Sequence, residues 1–189
     1  MGGNIEVSAL SPGIVALAYG AHPSPTLLQR LAARLAATGG DSVLLFDIVG
    51  AEVADGTASG NSSCTKGLLW LKRFLEFTLR LLEQLAQNEE GELGDAARAA
   101  YDATLRPFHG YLTQAVFTAV LYATPYRATF EAALLKHDVT AGEDASPAPA
   151  AASQALADDM AQFVAAFAPV LARIHAHLAE AGQDDPARV

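Results

Sequence analysis

The sequence predicts an all-α fold. Apolar residues recur at helical spacing over nearly the whole chain, and Val43–Phe46, the single run that fits a strand, fits a helix as well. Cap and breaker residues punctuate the pattern. Ser24-Pro25 reads as the N-cap and first residue of a helix to Ala37, with Gly39-Gly40 beyond its end. Asp41 is placed to cap a second helix to Ala54, and Gly56–Ser63 is a loop by composition.

The clearest element starts near Thr65. Leu71, Phe74, Leu75, Thr78, Leu79, Leu82 and Leu85 share one side, and Lys72, Arg73, Glu76, Arg80 and Glu83 the other. This predicts an amphipathic helix of about twenty residues, broken at Gly91–Gly94. An Ala-rich helix follows. Pro107 marks a kink or a fresh helix start, and Phe108–Ala123, apolar on all sides, is expected to be buried. Thr124-Pro125 restarts the chain, and Asp138–Ser153 reads as a linker. A last helix from Gln154 to Ala181 carries Phe163, Phe167, Val170, Leu171, Ile174 and Leu178 on one face, and the tail Gly182–Val189 is expected to be loose.

Composition narrows the function. Of 189 residues, 51% are hydrophobic and 17% charged, which suits a packed core rather than a disordered chain. The net charge of −9 leaves no basic face for nucleic acid. Mean hydropathy is +0.21, yet the longest apolar candidates, Gly13–Ala21 and Ala115–Ala123, fall well short of the ~18 residues of a membrane span. Cys64 is the sole cysteine, so an intramolecular disulfide and a cysteine zinc cluster are excluded. No Lys or Arg precedes Arg30, so a secretory signal is not expected and the chain reads as cytosolic.

Catalytic signatures are missing: there is no GxGxxG, P-loop, HExxH or GxSxG. His175 and His177 are two apart, which turns them to different sides of a helix and away from a shared metal. The carboxylate pairs Asp158-Asp159 and Glu89-Glu90 read as capping or solvated groups. The expectation is a protein that is not an enzyme and uses no cofactor or metal.

Three stretches carry more. Gly67-Leu68-Leu69-Trp70-Leu71-Lys72-Arg73 is followed by Phe108-His109-Gly110-Tyr111-Leu112 and by Leu121-Tyr122-Ala123-Thr124-Pro125-Tyr126. In this order and spacing they resemble the glycolipid transfer protein family, and Ser63–Trp70 is most similar to its plant and algal members. The resemblance spans residues 42–189, with 1–40 an N-terminal segment of uncertain kinship and 41–189 the domain. It implies a two-layer helical sandwich that takes a sphingolipid's chains between its layers. It implies a carrier of glycosphingolipid, or of ceramide-1-phosphate in a sister branch, acting as a monomer in passing contact with a membrane surface. The remaining reading is a lipid-binding or interaction module that does not transfer.

The site residues follow from the resemblance. Trp70 offers an aromatic face and an indole N–H to a sugar. His109 is placed to donate to the ceramide amide oxygen. On residues alone, either reads equally as a core residue. Phe77, Leu105, Phe117, Leu121, Phe130 and Phe163 match the hydrocarbon pocket, although such a stripe is core in any helical protein. Phosphate-binding members carry arginine in place of the tryptophan, because a phosphate favours guanidinium forks. Trp70 therefore points to a sugar, while Lys66, one turn earlier, leaves room for an anionic headgroup. Lys72 and Arg73 are expected to face solvent or membrane phosphates. Tyr111 stands where animal members carry a membrane-inserting tryptophan.

The chain also departs from the family pattern. The recognition centre there uses D-x-x-x-N with a Lys three further on. Here Met1-Gly2-Gly3-Asn4-Ile5 matches the Asn at Asn4, with Val7 at the Lys position and the Asp upstream of the chain; the alternative is that Met1–Ala37 is unrelated. The first helix is then expected to be missing, exposing apolar surface. Phe74 in place of a glycine is expected to crowd the pocket.

Overall fold

The computed structural model describes residues 45–88, 90–135 and 149–187, together with 29, 30 and 33. Among these, every regular element is helical: α1 (Leu45–Ala54), α2 (Cys64–Gln87), α3 (Leu93–Ala103), a 3-10 turn (Arg106–Phe108), α4 (Tyr111–Tyr122), α5 (Arg127–Leu135) and α6 (Pro149–Glu180). Asn4, and the helix expected over 25–37 apart from three of its residues, lie outside the described residues.

The central element is α2, and both its ends are closed by side chains. At the start, Ser63 is the N-cap, and its Oγ accepts from Lys66 N at 3.0 Å. Glu52, from α1, accepts from Cys64 N at 2.9 Å and Thr65 N at 2.8 Å. Ser63 N bonds the Gly60 carbonyl at 3.0 Å, so all four amide donors that the helix start leaves open are satisfied. A buried carboxylate also suits the positive end of the helix dipole. At the far end, Arg127 donates to the carbonyls of Leu85 (2.9 Å), Gly91 (3.2 Å) and Asn88. A cation belongs at that end of the dipole.

Three apolar clusters line α2 in turn. Near its start, Leu68 and Leu69 pack with Ile48 and Val49 of α1 and Leu178 of α6. In the middle, Phe77 packs with Ala97, Ala100 and Tyr101 of α3, with Leu105, and with Phe117 and Leu121 of α4. Near its end, Leu85 meets Leu93 and Met160, with Phe130 against them. Each buried Leu or Phe contributes about 1.5–3 kcal/mol relative to exposure.

Several expectations are corrected. Gly94 lies inside α3, so the break falls between Gln87 and Leu93. Helix α5 begins at Arg127 rather than at Pro125, with the Tyr126 carbonyl taking its first bonds. Helix α6 begins at Pro149, inside the segment read as linker. Helix α4 is not buried all round: only Phe117 and Leu121 are, while Tyr111 is 90% and Leu112 80% exposed. An apolar helix on one layer has one side to bury, and the rest stays outside. The apolar side of α6 is Met160, Val164, Phe167, Leu171, Ile174 and Leu178; Phe163 and Val170 lie on its exposed side. Ala152–Glu180 is also long and apolar enough to cross a membrane, with mean hydropathy 1.3, because its polar residues are spread among alanines. Here that helix packs along α2.

Candidate functional site

The loop between α3 and α4 builds the site. Pro107 sits in the 3-10 turn Arg106–Phe108, and His109 follows with an extended backbone, φ −92° and ψ 133°. Gln114 Nε2 donates to the His109 carbonyl at 2.7 Å and to that of Arg106 at 3.2 Å. These bonds fix the backbone and turn the imidazole inward, where it is buried.

His109 is a bridge between a polar and an apolar region. Its ring lies 6.0 Å from the half-buried indole of Trp70, inclined 23°. On the other side it contacts Tyr101 at 5.6 Å and Phe117 at 5.8 Å, centroid to centroid. Tyr101 and Phe117 are stacked at 4.2 Å, and Phe77 meets Phe117 edge-on at 5.9 Å. His109 Nδ1 is 3.1 Å from the Tyr101 hydroxyl. With the phenol donating, Nδ1 accepts and Nε2 carries the proton. Burial, reinforced by the positive charge of Arg73, lowers the His109 pKa below its ordinary value, so the ring is neutral. Burial raises the Tyr101 phenol, which keeps its proton.

The expectation for Lys72 and Arg73 is overturned: both are buried, 3% and 1% exposed. The chain after α6 crosses the polar side of α2 and covers them. Lys72 Nζ lies 3.0 Å from Asp184, 2.9 Å from His175 Nδ1 and 3.5 Å from Glu76. Arg73 donates to the Asp185 carbonyl. Its guanidinium carbon sits 3.7 Å from the Phe108 ring centre and 4.8 Å from that of Trp70. Burial lowers the Arg73 pKa, against the raising pull of Asp184, Asp185 and Glu76. The described part of the tail is therefore held at Asp184 and Asp185 rather than loose.

The other predicted residues separate. Lys66 bonds Asn61 Oδ1 at 3.2 Å. Phe77, Leu105, Phe117 and Leu121 share one cluster beneath His109. Phe74 packs on its edge, 6.3 Å from Phe77. Phe130 belongs to the neighbouring cluster. Phe163 is 47% exposed and stacks on Phe167 at 5.5 Å, so the described residues do not place it in a pocket. A cleft of about 470 Å³ lies elsewhere, between α1 and α6, lined by Leu45, Phe46, Asp47, Val170, Arg173 and Ile174. His175 and His177 do point apart, one to Lys72 and the other onto Phe46 at 4.0 Å. Sequence reasoning missed Tyr101 and the inward role of Arg73. The repeat of Ala97, Ala100 and Tyr101 on one helical face was the signal for the first.

The family model of glycolipid transfer protein (GLTP) matches residues 26–136, more than half the chain. The chain belongs to the glycolipid transfer protein family. Glycolipid transfer protein 1 of Arabidopsis thaliana is 33% identical over 141 residues, 75% of this chain and 62% of that protein. The chain thus spans less than two thirds of that relative's length. A structure of FAPP2, described as selecting simple glycosphingolipids using the GLTP fold, matches with a TM-score of 0.73 at 26% identity, over 86% of this chain and 74% of the other. A point mutant of Arabidopsis accelerated-cell-death 11, complexed with C12 ceramide-1-phosphate, shares the fold: TM-score 0.63 at 22% identity, over 85% and 72% of the two chains. These likenesses agree with the all-helical architecture.

Proposed function

We propose that this chain is a non-catalytic cytosolic carrier that binds one sphingolipid, preferably a glycosphingolipid, and moves it between membranes. The observation that carries the reading is the position of His109. One side of it meets Trp70, a half-exposed platform for a sugar, and the other meets the aromatic cluster of Phe77, Tyr101 and Phe117. That is the order of polarity along a glycosphingolipid: sugar, amide, hydrocarbon. The indole stacks and donates to the sugar. The Nε2–H of the neutral imidazole donates to the amide oxygen. The hydrocarbon enters between Phe77, Leu105, Phe117 and Leu121, gaining about 0.8 kcal/mol per buried CH₂. Tyr111 and Leu112, exposed at the start of α4 just beyond His109, dip into the membrane during exchange.

The FAPP2 likeness supports a sugar headgroup, as does Trp70 itself. Arg73 does not serve as an open phosphate fork: it is buried, bonded to the Asp185 carbonyl and laid against the rings of Phe108 and Trp70. The test is titration with vesicles containing galactosylceramide or ceramide-1-phosphate, reading the emission of Trp70, the only tryptophan. The proposal expects a saturable change with galactosylceramide. A change with ceramide-1-phosphate alone would move the chain to the phosphate branch.

A further inference from the structure

We propose that the segment after α6 is a strap that positions the headgroup site, with Arg73 as the residue that transmits its hold. The strap begins at a defined reversal. Gly182 takes φ +67°, its N–H bonds the Ala179 carbonyl at 3.0 Å, and Gln183 N–H bonds that of Leu178 at 2.7 Å. This is the Schellman arrangement, and it needs a left-handed residue that glycine adopts without strain. The chain then runs back over α2, where two attachments hold it. Asp184 joins Lys72 at 3.0 Å and His175 at 3.5 Å, and the Asp185 carbonyl takes a hydrogen bond from Arg73.

Arg73 touches both the strap and the rings around the site. It lies against Trp70 and Phe108, the neighbour of His109. Its Nε has no partner among the described residues, so the strap carbonyl is the hydrogen bond that orients the guanidinium. A cation held on an aromatic face in a dry site is attracted by the negative face of the ring. The same cation, released, swings away and leaves Trp70 free to change rotamer. Arg73 is thus a positioning residue: it sets the indole plane on which the sugar stacks and does not itself bind the lipid. The role in lipid capture rests on the carrier reading; the geometry does not.

The experiment uses the full chain in four forms: parent, Asp184→Ala, Arg73→Met and the double variant. Emission and acrylamide quenching of Trp70 are read first without lipid, with helix content checked by circular dichroism. Galactosylceramide vesicles are added afterwards. The expected result is a red shift and stronger quenching in each single variant at unchanged helix content, with the double variant no different from Arg73→Met. The galactosylceramide response should weaken roughly tenfold, the size expected for one charged hydrogen bond. Should Arg73→Met lose helix content, Arg73→Lys, which keeps the charge but not the planar fork, takes its place in the cycle. Unchanged Trp70 emission in Asp184→Ala, or effects that simply add in the double variant, would overturn the strap. If the variants shift Trp70 but no form, parent included, responds to galactosylceramide, the strap stands and the carrier reading falls.

Discussion

The indole of Trp70 and the imidazole of His109 lie stacked 6.0 Å apart, although they are 39 positions apart in sequence and come from separate elements. One is fixed by the capping of α2 and the other by the turn at Pro107. Their meeting point is also where the aromatic cluster begins, so a donor pair and an apolar interior share one boundary.

The first prediction concerns pH. The folded-state pKa of His109 is depressed by burial and by Arg73 below its ordinary 6.5. The unfolded chain therefore takes up a proton first as the pH falls. Stability from this group is complete above about pH 6.5 and declines from there down to the folded-state pKa. Urea unfolding across pH 4.5–7.5 should show this slope, and His109→Gln should flatten it. Lipid binding should hold at pH 7, where the ring is neutral.

Glu52 makes the second. Its carboxylate is buried and accepts from Cys64 N, Thr65 N and the Thr65 hydroxyl, the last at 2.6 Å. Glu52→Ala leaves Cys64 N and Thr65 N without acceptors and should cost about 2–4 kcal/mol, read as a lower urea midpoint at equal slope. Glu52→Gln keeps an oxygen and should cost less.

Most of the helical order was legible in the sequence, because period and punctuation are local. The amphipathic stretch read from near Thr65 became α2, which starts at Cys64 and ends at Gln87, ahead of the break expected at Gly91. The errors fell where the decisive partner is remote. Glu52 lies on another helix, and no pattern near Ser63 announces it. Lys72 and Arg73 look like solvated residues on the polar side of α2 until a tail 112 residues away covers them. Helix α4 reads as buried because its residues are apolar, but how many sides of a helix find neighbours is a property of the packing. Of the site, Trp70 and His109 were named through family resemblance. Their proximity, and the part of Tyr101, came only from the fold.

The third prediction uses that exposed face. Tyr111 and Leu112 touch little of the protein, so replacing both with Ala should change stability by no more than about 0.5 kcal/mol each. Binding to vesicles and the rate of exchange should fall, because about 1.5–3 kcal/mol of apolar burial is lost with Leu112 alone. Vesicle flotation against a urea curve separates the two effects.

The central claim is that this fold carries a sugar-headed sphingolipid on Trp70. Transfer of fluorescent galactosylceramide and ceramide-1-phosphate between donor and acceptor vesicles, by the parent chain and by Trp70→Ala, tests it most directly. The account predicts galactosylceramide transfer by the parent and its loss in Trp70→Ala, with both chains equally helical. Transfer of neither lipid by the folded parent, or ceramide-1-phosphate transfer indifferent to Trp70→Ala, would contradict it.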